Sequence, residues 1–113
     1  MRAHTRTEIA SLATNSLQEL AEKHGNCAGS QSDAFFAPEL ESRSPAVRQK
    51  AEAVVKRWCV GCPVRDLCLE IALRSEGDRG ETPYGIWGGM TVAQRLPLIR
   101  ARRDRNRQKQ EVA

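Results

Sequence analysis

Four cysteines are the side chains of this sequence best suited to chemistry, and their spacing indicates a soft metal site. They follow the pattern C-x31-C-x2-C-x5-C, as Cys27, Cys59, Cys62 and Cys68. Two thiols on a tight loop, a third further along and a remote fourth could close a cage around zinc or an iron–sulfur cluster. Structural zinc sites commonly use two short cysteine knuckles, whereas this chain has one. The spacing therefore favours an iron–sulfur cluster and leaves four-cysteine zinc as the alternative.

A glycine-rich segment, Gly85-Ile86-Trp87-Gly88-Gly89, follows the last cysteine and is called the tryptophan turn below. Glycine permits a positive φ, so this composition predicts a tight turn that presents one large side chain. Exposed aromatic side chains serve as anchors in protein interfaces. We therefore predict a partner contact through Trp87. The alternative is that the indole folds inward and covers the metal site.

The positive charge of the chain is concentrated near its C-terminal end. Between Arg95 and Glu111 seven basic residues stand against two acidic ones, a net charge of +5, whereas the whole chain has +4. The remainder is therefore close to neutral, at −1. A near-neutral body with a basic tail indicates a polyanionic partner, most simply nucleic acid. A tail that only improves solubility is the alternative.

The hydrophobic pattern predicts an all-α fold, a small helical domain of about four helices organised around the cysteine site. The first helix is expected over about Thr7–Lys23. Ser44 and Pro45 form a cap-and-proline start for the second helix, which ends at the loop Cys59–Cys62. Pro63 is expected to open the third helix.

The C-terminal part of the sequence predicts a linker and a last helix. Ser75–Pro83 reads as a polar linker with two glycines. Thr91-Val92-Ala93-Gln94 fits a capping box and starts the last helix. Pro97 is expected to kink or interrupt that helix, unless the helix begins later, because proline lacks the backbone N–H donor. We expect residues 1–94 to form the cluster-binding domain, including the tryptophan turn, and residues 95–113 to form a basic C-terminal helix or tail.

Size and composition predict a domain that needs disulfides, bound metal or a partner for its stability. The chain has 113 residues, with five aromatic residues and 28% charged ones. Small polar domains are usually stabilised by disulfides, metal or a partner. The sequence shows neither an apolar stretch of membrane-spanning length nor a secretory signal, so we expect a cytoplasmic protein. In that reducing compartment clustered cysteines more often bind metal than form disulfides.

The cysteine spacing, the tryptophan turn and the basic C-terminus together resemble the WhiB-like family of actinobacteria and their phages. Two further segments also resemble sequences of that family, Asp33-Ala34-Phe35-Phe36 and Cys62-Pro63-Val64-Arg65. The resemblance covers roughly Cys27 to Arg103. It is specific, because the cysteine spacing and the turn are independent features that occur in the expected order.

This resemblance implies a transcriptional regulator with a [4Fe–4S] cluster on Cys27, Cys59, Cys62 and Cys68. Several members associate with the C-terminal domain of the primary sigma factor of RNA polymerase, and we expect a monomer in its absence. Their clusters respond to nitric oxide or oxygen, and cluster loss leaves thiols able to form disulfides. The resemblance assigns Gly85, Trp87, Gly88 and Gly89 to the sigma contact, Phe35 and Phe36 to that contact or the core, and Arg100, Arg102, Arg103, Arg105 and Arg107 to phosphates of promoter DNA.

Two other functions stay open from the sequence. A zinc-stabilised module that binds DNA or protein would share the basic tail and the metal-dependent fold. A protein disulfide reductase would use Cys59 and Cys62, although this C-x-x-C lacks the strand–turn–helix setting of a βαβ redox fold. The sequence shows no paired carboxylates, phosphate loop or Ser/His/Asp constellation, so we do not expect an enzyme.

Overall fold

The computed structural model of the chain describes residues 4–26 and 44–112. Cys27, Phe35 and Phe36 lie outside these ranges. Five α-helices make up the described part, and no strand occurs in it, so the predicted all-α class is confirmed. The helices are α1 (Arg6–Ser11), α2 (Thr14–His24), α3 (Pro45–Val54), α4 (Arg65–Leu73) and α5 (Val92–Val112). None of the described helices is both long and apolar enough to span a membrane.

Helix α4 is the central element, because its apolar face meets the N-terminal helices. The main core contains Leu67 and Ile71 of α4 together with Val64, which precedes it. Ile9 of α1 and Leu17 of α2 complete this buried set. A second, smaller core forms around buried Ala51 and Ile86, with Val54, Val55, Trp58 and Cys59 packed against it.

The single helix predicted over Thr7–Lys23 was wrong, because the chain breaks at Leu12 and Ala13. Both residues have extended backbone, with ψ of 141° and 152°. Arg74, which directly follows α4, donates to the carbonyl of Leu12 at 2.8 Å and to that of Ile9 at 3.2 Å. The Arg74 guanidinium thus satisfies the Leu12 carbonyl and gives the Ile9 carbonyl a second donor beside the Leu12 N–H at 3.2 Å. This long-range contact compensates for the break in the helix.

The region between α3 and α4 carries two of the cysteines. Ser44 caps α3 as predicted, since its Oγ accepts from the Val47 N–H at 3.3 Å. Beyond Val54 the helix widens into a π-helical turn, Val55–Cys59. Helix α4 begins at Arg65 and not at Pro63 as predicted. The reason is that residues 62–64 form a turn, closed by a 3.3 Å bond from the Arg65 N–H to the carbonyl of Cys62.

The predicted polar linker Ser75–Pro83 was wrong in its first part. Helix α4 widens into a second π-helical turn, Arg74–Asp78, in which Glu76 and Gly77 are buried. An added Cβ on Gly77 would lie 2.8 Å from the Cβ of Arg102 on α5. This segment is therefore a packed element that α5 crosses closely, and the glycine makes room for the crossing.

The last helix starts as predicted but continues through its proline. Thr91 and Gln94 cap each other reciprocally, with N–H to side-chain distances of 2.9 and 3.3 Å. Helix α5 then runs from Val92 to Val112 with Pro97 inside it, so an interruption at Pro97 is excluded, while the kink stays a prediction. Buried Arg95 and buried Ile99 lie on either side of the proline. Pro97 has no N–H to donate, so one helical hydrogen bond is missing there. The packing of Arg95 and Ile99 stabilises the helix on both sides of this position.

Candidate metal centre and tryptophan turn

Cys59 and Cys62 are brought together by one tight turn. Cys59 ends the π-helical turn, and the Cys62 N–H donates to its carbonyl at 3.1 Å. Gly61 between them has φ of 75°, a value that side-chain-bearing residues rarely adopt. An added Cβ there would meet nothing within 4 Å, so the backbone angle alone calls for glycine. Both sulfur-bearing side chains are half-buried.

Cys68 lies on α4, and its sulfur contacts the tryptophan turn. The Gly88 N–H donates to Cys68 Sγ at 3.3 Å. Such a bond favours the negatively charged form of a sulfur, whether in a thiolate or in a cluster ligand. The turn and the cysteine set are therefore in direct contact.

The donor types of this region are those of a thiolate-held metal group, although the described residues alone do not form a complete site. Cys59, Cys62 and Cys68 supply three half-buried thiols, and a backbone amide points at one of them. Across residues 4–26 and 44–112, no three Cys, His, Asp or Glu side chains converge closely enough to hold a metal ion. The fourth predicted ligand, Cys27, lies outside those ranges.

The tryptophan turn is as tight as its composition predicts. Gly85, Gly88 and Gly89 have φ of 79°, 60° and 76°. The backbones of Trp87 and Met90 exchange two hydrogen bonds, of 3.1 and 3.0 Å, across the turn. Three positive φ values within five residues explain why glycine recurs here.

The turn is held against α4 by contacts that leave no space for a side chain at Gly88 and place the Arg65 guanidinium against Gly89. An added Cβ on Gly88 would lie 2.5 Å from the Cβ of Leu69 and 2.9 Å from the carbonyl oxygen of Arg65. An added Cβ on Gly89 would lie 2.7 Å from the Arg65 guanidinium. Arg65 Nε also donates to the Gly88 carbonyl at 3.1 Å.

Trp87 is half-buried, so it shares features of both placements predicted from the sequence. Its ring packs against the main core, which is the inward placement. Its Nε1–H donates to the carbonyl of Tyr84 at 3.2 Å, an exposed bond. Tyr84 itself is 53% exposed. The exposed part of the indole and the tyrosine next to the turn leave an aromatic surface open to solvent.

A buried ion pair behind the turn was not predicted from the sequence. Arg95 is completely buried and Glu76 almost so, at 0% and 4% exposure. Their side chains meet at 2.9 and 3.0 Å. One signal was present: Arg95 lies four residues before Ile99, so it occupies a core-facing position of α5. The polar character of both residues concealed this role.

The five arginines predicted to face DNA differ in their surroundings on α5. Arg100 and Arg105 are exposed. Arg107 is exposed and pairs with Asp104 at 2.6 Å, whereas Arg103 donates to the backbone carbonyl of Glu76 at 3.0 Å. Together these side chains give α5 a basic surface.

Arg102 is held inward by two carboxylates. It pairs with Glu70 and, at 3.0 Å, with Asp78. Burial alone would lower the pKa of Arg102, but hydrogen bonds and attraction from Glu70 and Asp78 outweigh it and raise the pKa above its ordinary value. The guanidinium therefore stays charged and ties α5 to the end of α4.

Comparison with known proteins now identifies the family. Residues 22–98 match the family model described as Transcription factor WhiB. This chain belongs to the WhiB family. It is 39% identical to the transcriptional regulator WhiD of Streptomyces coelicolor over 79 residues, which cover 70% of this chain and 64% of WhiD. It is also 39% identical over 83 residues, 74% of each chain, to WhiB3 of Mycobacterium tuberculosis, a redox- and pH-responsive transcriptional regulator.

Other WhiB-family relatives are matched over a smaller part of their length. WhiB2 of Mycolicibacterium smegmatis is 38% identical over 74 residues, 66% of this chain and 46% of WhiB2. The match to WhiD likewise spans less than two thirds of that protein. The family is established by the matched model, which is described as a transcription factor, and four cysteines in a WhiB-family chain indicate a metal cluster.

Proposed function

We propose that this WhiB-family protein is a transcriptional regulator that carries a [4Fe–4S] cluster on Cys27, Cys59, Cys62 and Cys68. We further propose that it binds the C-terminal domain of the primary sigma factor and promoter DNA. The observation that carries this proposal is the 3.3 Å hydrogen bond from the Gly88 N–H to Cys68 Sγ. It joins a proposed cluster ligand to the proposed partner surface, so a change at the sulfur reaches that surface through one contact.

The proposed ligand set gives a physical role to the regions around Cys59, Cys62 and Cys68. When bound, the cluster would supply iron that nitric oxide or oxygen attacks. The Gly61 turn sets the separation of Cys59 and Cys62. Gly88 donates to the sulfur of Cys68, and hydrogen bonds to cluster sulfurs are one of the means by which a protein tunes cluster potential.

The proposed sigma-binding surface is the tryptophan turn. Trp87 is its anchor, and Gly85, Gly88 and Gly89 form the tight turn that presents the indole. Support comes from the exposed part of the indole and from the close docking of the turn on α4, which limits the freedom of the turn before binding. A surface ordered in advance loses less entropy on association. Phe35 and Phe36 are proposed to extend this contact or to pack beneath it.

The proposed DNA surface is the basic side of α5. Arg100, Arg105 and Arg107 project from the helix with exposed side chains and would contact phosphates. Arg102 and Arg103 are included in the proposal, but their bonds to α4 and its π-helical turn compete with phosphate contacts. We therefore expect the first three to contribute most of the salt-dependent affinity.

The proposed signal is redox chemistry at the cysteine set. WhiB3 of Mycobacterium tuberculosis is a redox- and pH-responsive regulator, and we extend the redox response to this relative. Loss of the cluster would free thiols that can form disulfides. We place the protein in the cytoplasm, as a monomer when sigma factor is absent, and assign it no catalytic activity.

Replacement of Trp87 tests the proposed sigma contact. In protein purified without air, Trp87→Ala should lose co-purification with the sigma domain while keeping the wild-type absorption spectrum, because the indole anchors the contact and ligates no metal. Trp58→Ala is the matched control, since Trp58 is also half-buried but packs in the second core. Unchanged sigma binding by Trp87→Ala would contradict the assignment. Loss of the spectrum together with binding would assign Trp87 to the core.

A further inference from the structure

We propose that Arg95 and Glu76 are positioning residues that set the shape of the tryptophan turn for partner recognition. This inference rests on the proposed function only in naming the turn as the partner surface. Neither residue belongs to the cysteine set, and both are buried. Their role follows from where the five N–H groups of one guanidinium are directed.

The Arg95 guanidinium uses each of its N–H donors. Two donate to the carboxylate of Glu76, at 2.9 and 3.0 Å. The other three donate to backbone carbonyls, of Gly85 at 2.8 Å, of Met90 at 2.7 Å and of Tyr84 at 3.1 Å. Arginine has five such donors in a rigid fork, whereas lysine has three on one flexible stem. Lysine therefore cannot reproduce this set of bonds.

The three carbonyls lie at the two ends of the turn. Tyr84 and Gly85 come just before Trp87, and Met90 follows the last glycine. One planar group thus fixes both ends at once, and their separation decides how the intervening residues loop outward. Glu76 adds a bond of its own, since Oε2 accepts the Tyr84 N–H at 3.2 Å.

The ion pair also connects the turn to two other elements. Arg95 is in the first turn of α5, and Glu76 is in the π-helical turn that follows α4. A buried charge needs a partner and saturated hydrogen bonds, and here both conditions are met. The ends of the turn are therefore held by a set of contacts separate from the middle, where Gly88 meets Cys68.

A purely electrostatic role would only require a positive charge beside Glu76, and Arg95→Lys distinguishes the two possibilities. In full-length protein purified without air, we expect Arg95→Lys to keep its iron content. The Trp87 and Met90 amides, which bond each other across the turn, should exchange hydrogen at least about tenfold faster. The dissociation constant for the sigma C-terminal domain should rise by about tenfold or more, the factor that accompanies 1.4 kcal/mol.

Arg102→Lys is the matched control. Arg102 lies on the same helix and is also paired with carboxylates, but these belong to Glu70 and Asp78, which lie outside the turn. We expect it to leave the exchange of the Trp87 and Met90 amides unchanged. Glu76→Gln is the second variant in case Arg95→Lys does not fold. It keeps the shape and an acceptor for Tyr84 but removes the counter-charge, and a smaller acceleration of the same amides is expected.

The two readouts separate this inference from the proposed function. Wild-type exchange of the Trp87 and Met90 amides in Arg95→Lys and in Glu76→Gln would overturn the positioning role. Faster exchange with unchanged sigma affinity would uphold the positioning of the turn but overturn its role in recognition. Equal acceleration in the Arg102→Lys control would show general loosening and would also overturn the inference.

Discussion

Gly88 is the residue at which the metal site, the turn and the core meet. Its N–H bonds Cys68, its carbonyl accepts from Arg65, and its α-carbon faces Leu69. Its φ of 60° adds a backbone requirement to these contacts. A glycine at this position therefore satisfies two independent constraints, the backbone angle and the missing space.

Gly88→Ala is expected to destabilise the protein more than Gly61→Ala. Both positions have positive φ, so each change should cost about 1 to 2 kcal/mol from the backbone. Gly88→Ala adds a clash with Leu69, worth about 1 to 3 kcal/mol. Gly61 has open space around it and serves as the control. Urea unfolding of both variants measures the difference. Equal free energies of unfolding would mean that the turn does not dock on α4 as described.

At the residue scale, the sequence predicted the positions that have a distinctive composition. The glycines around Trp87 predicted the turn, and Ser44 and Thr91 predicted the starts of α3 and α5. Arg95, Glu76 and Arg74 were not predicted, because their roles depend on tertiary contacts. The two arginines donate to backbone carbonyls of other elements, and Glu76 accepts from the Arg95 guanidinium and the Tyr84 N–H. A charged side chain in a sequence normally indicates solvent exposure, and these three are exceptions only because their donors and acceptors are satisfied.

At the scale of elements, the helix type was predictable and several boundaries were not. The break between α1 and α2 has neither glycine nor proline at Leu12 and Ala13. It depends on Arg74, a contact between parts of the chain far apart in sequence. The packed π-helical turn Arg74–Asp78 looked like a linker because of its polar residues and glycine. In each case tertiary contacts override the local pattern.

Helix α5 supplies a test of how the fold accommodates Pro97. Pro97→Ala should raise the free energy of unfolding, by up to about 3 kcal/mol, because alanine restores a helical N–H and removes the clash of the ring. Pro45→Ala is the control, since Pro45 is at the start of α3, where the N–H has no helical acceptor. We expect a change near zero there. A Pro97→Ala variant that is no more stable than wild type, by thermal or urea unfolding, would show that the proline does not strain α5.

At the scale of the whole molecule, charge is separated between the body and α5. The inward arginines, Arg95 and Arg102, neutralise carboxylates of the body, while Arg100, Arg105 and Arg107 remain on the surface. The sequence predicted the basic C-terminal end but could not show which of its arginines pair with carboxylates and which stay exposed. That division depends on which face of α5 packs against α4 and its π-helical turn.

The double variant Arg105→Gln/Arg107→Gln tests the proposed DNA surface. If both side chains bind phosphates, the slope of log binding constant against log salt should become shallower by about 0.9 for each phosphate that is no longer neutralised. Arg48→Gln/Arg79→Gln is the charge-matched control, with both residues exposed and outside α5. Promoter binding measured over a range of salt gives both slopes. Equal slopes for the two variants would mean that α5 only raises the net charge.

Metal and sulfide analysis of protein purified strictly without air is the decisive test of the proposed cluster. We expect a brown protein with about four iron and four sulfide per chain. We also expect that replacing Cys68 with serine removes both, because that residue is a proposed ligand. A colourless wild-type protein with about one zinc and no sulfide would contradict the cluster and favour a zinc-stabilised module.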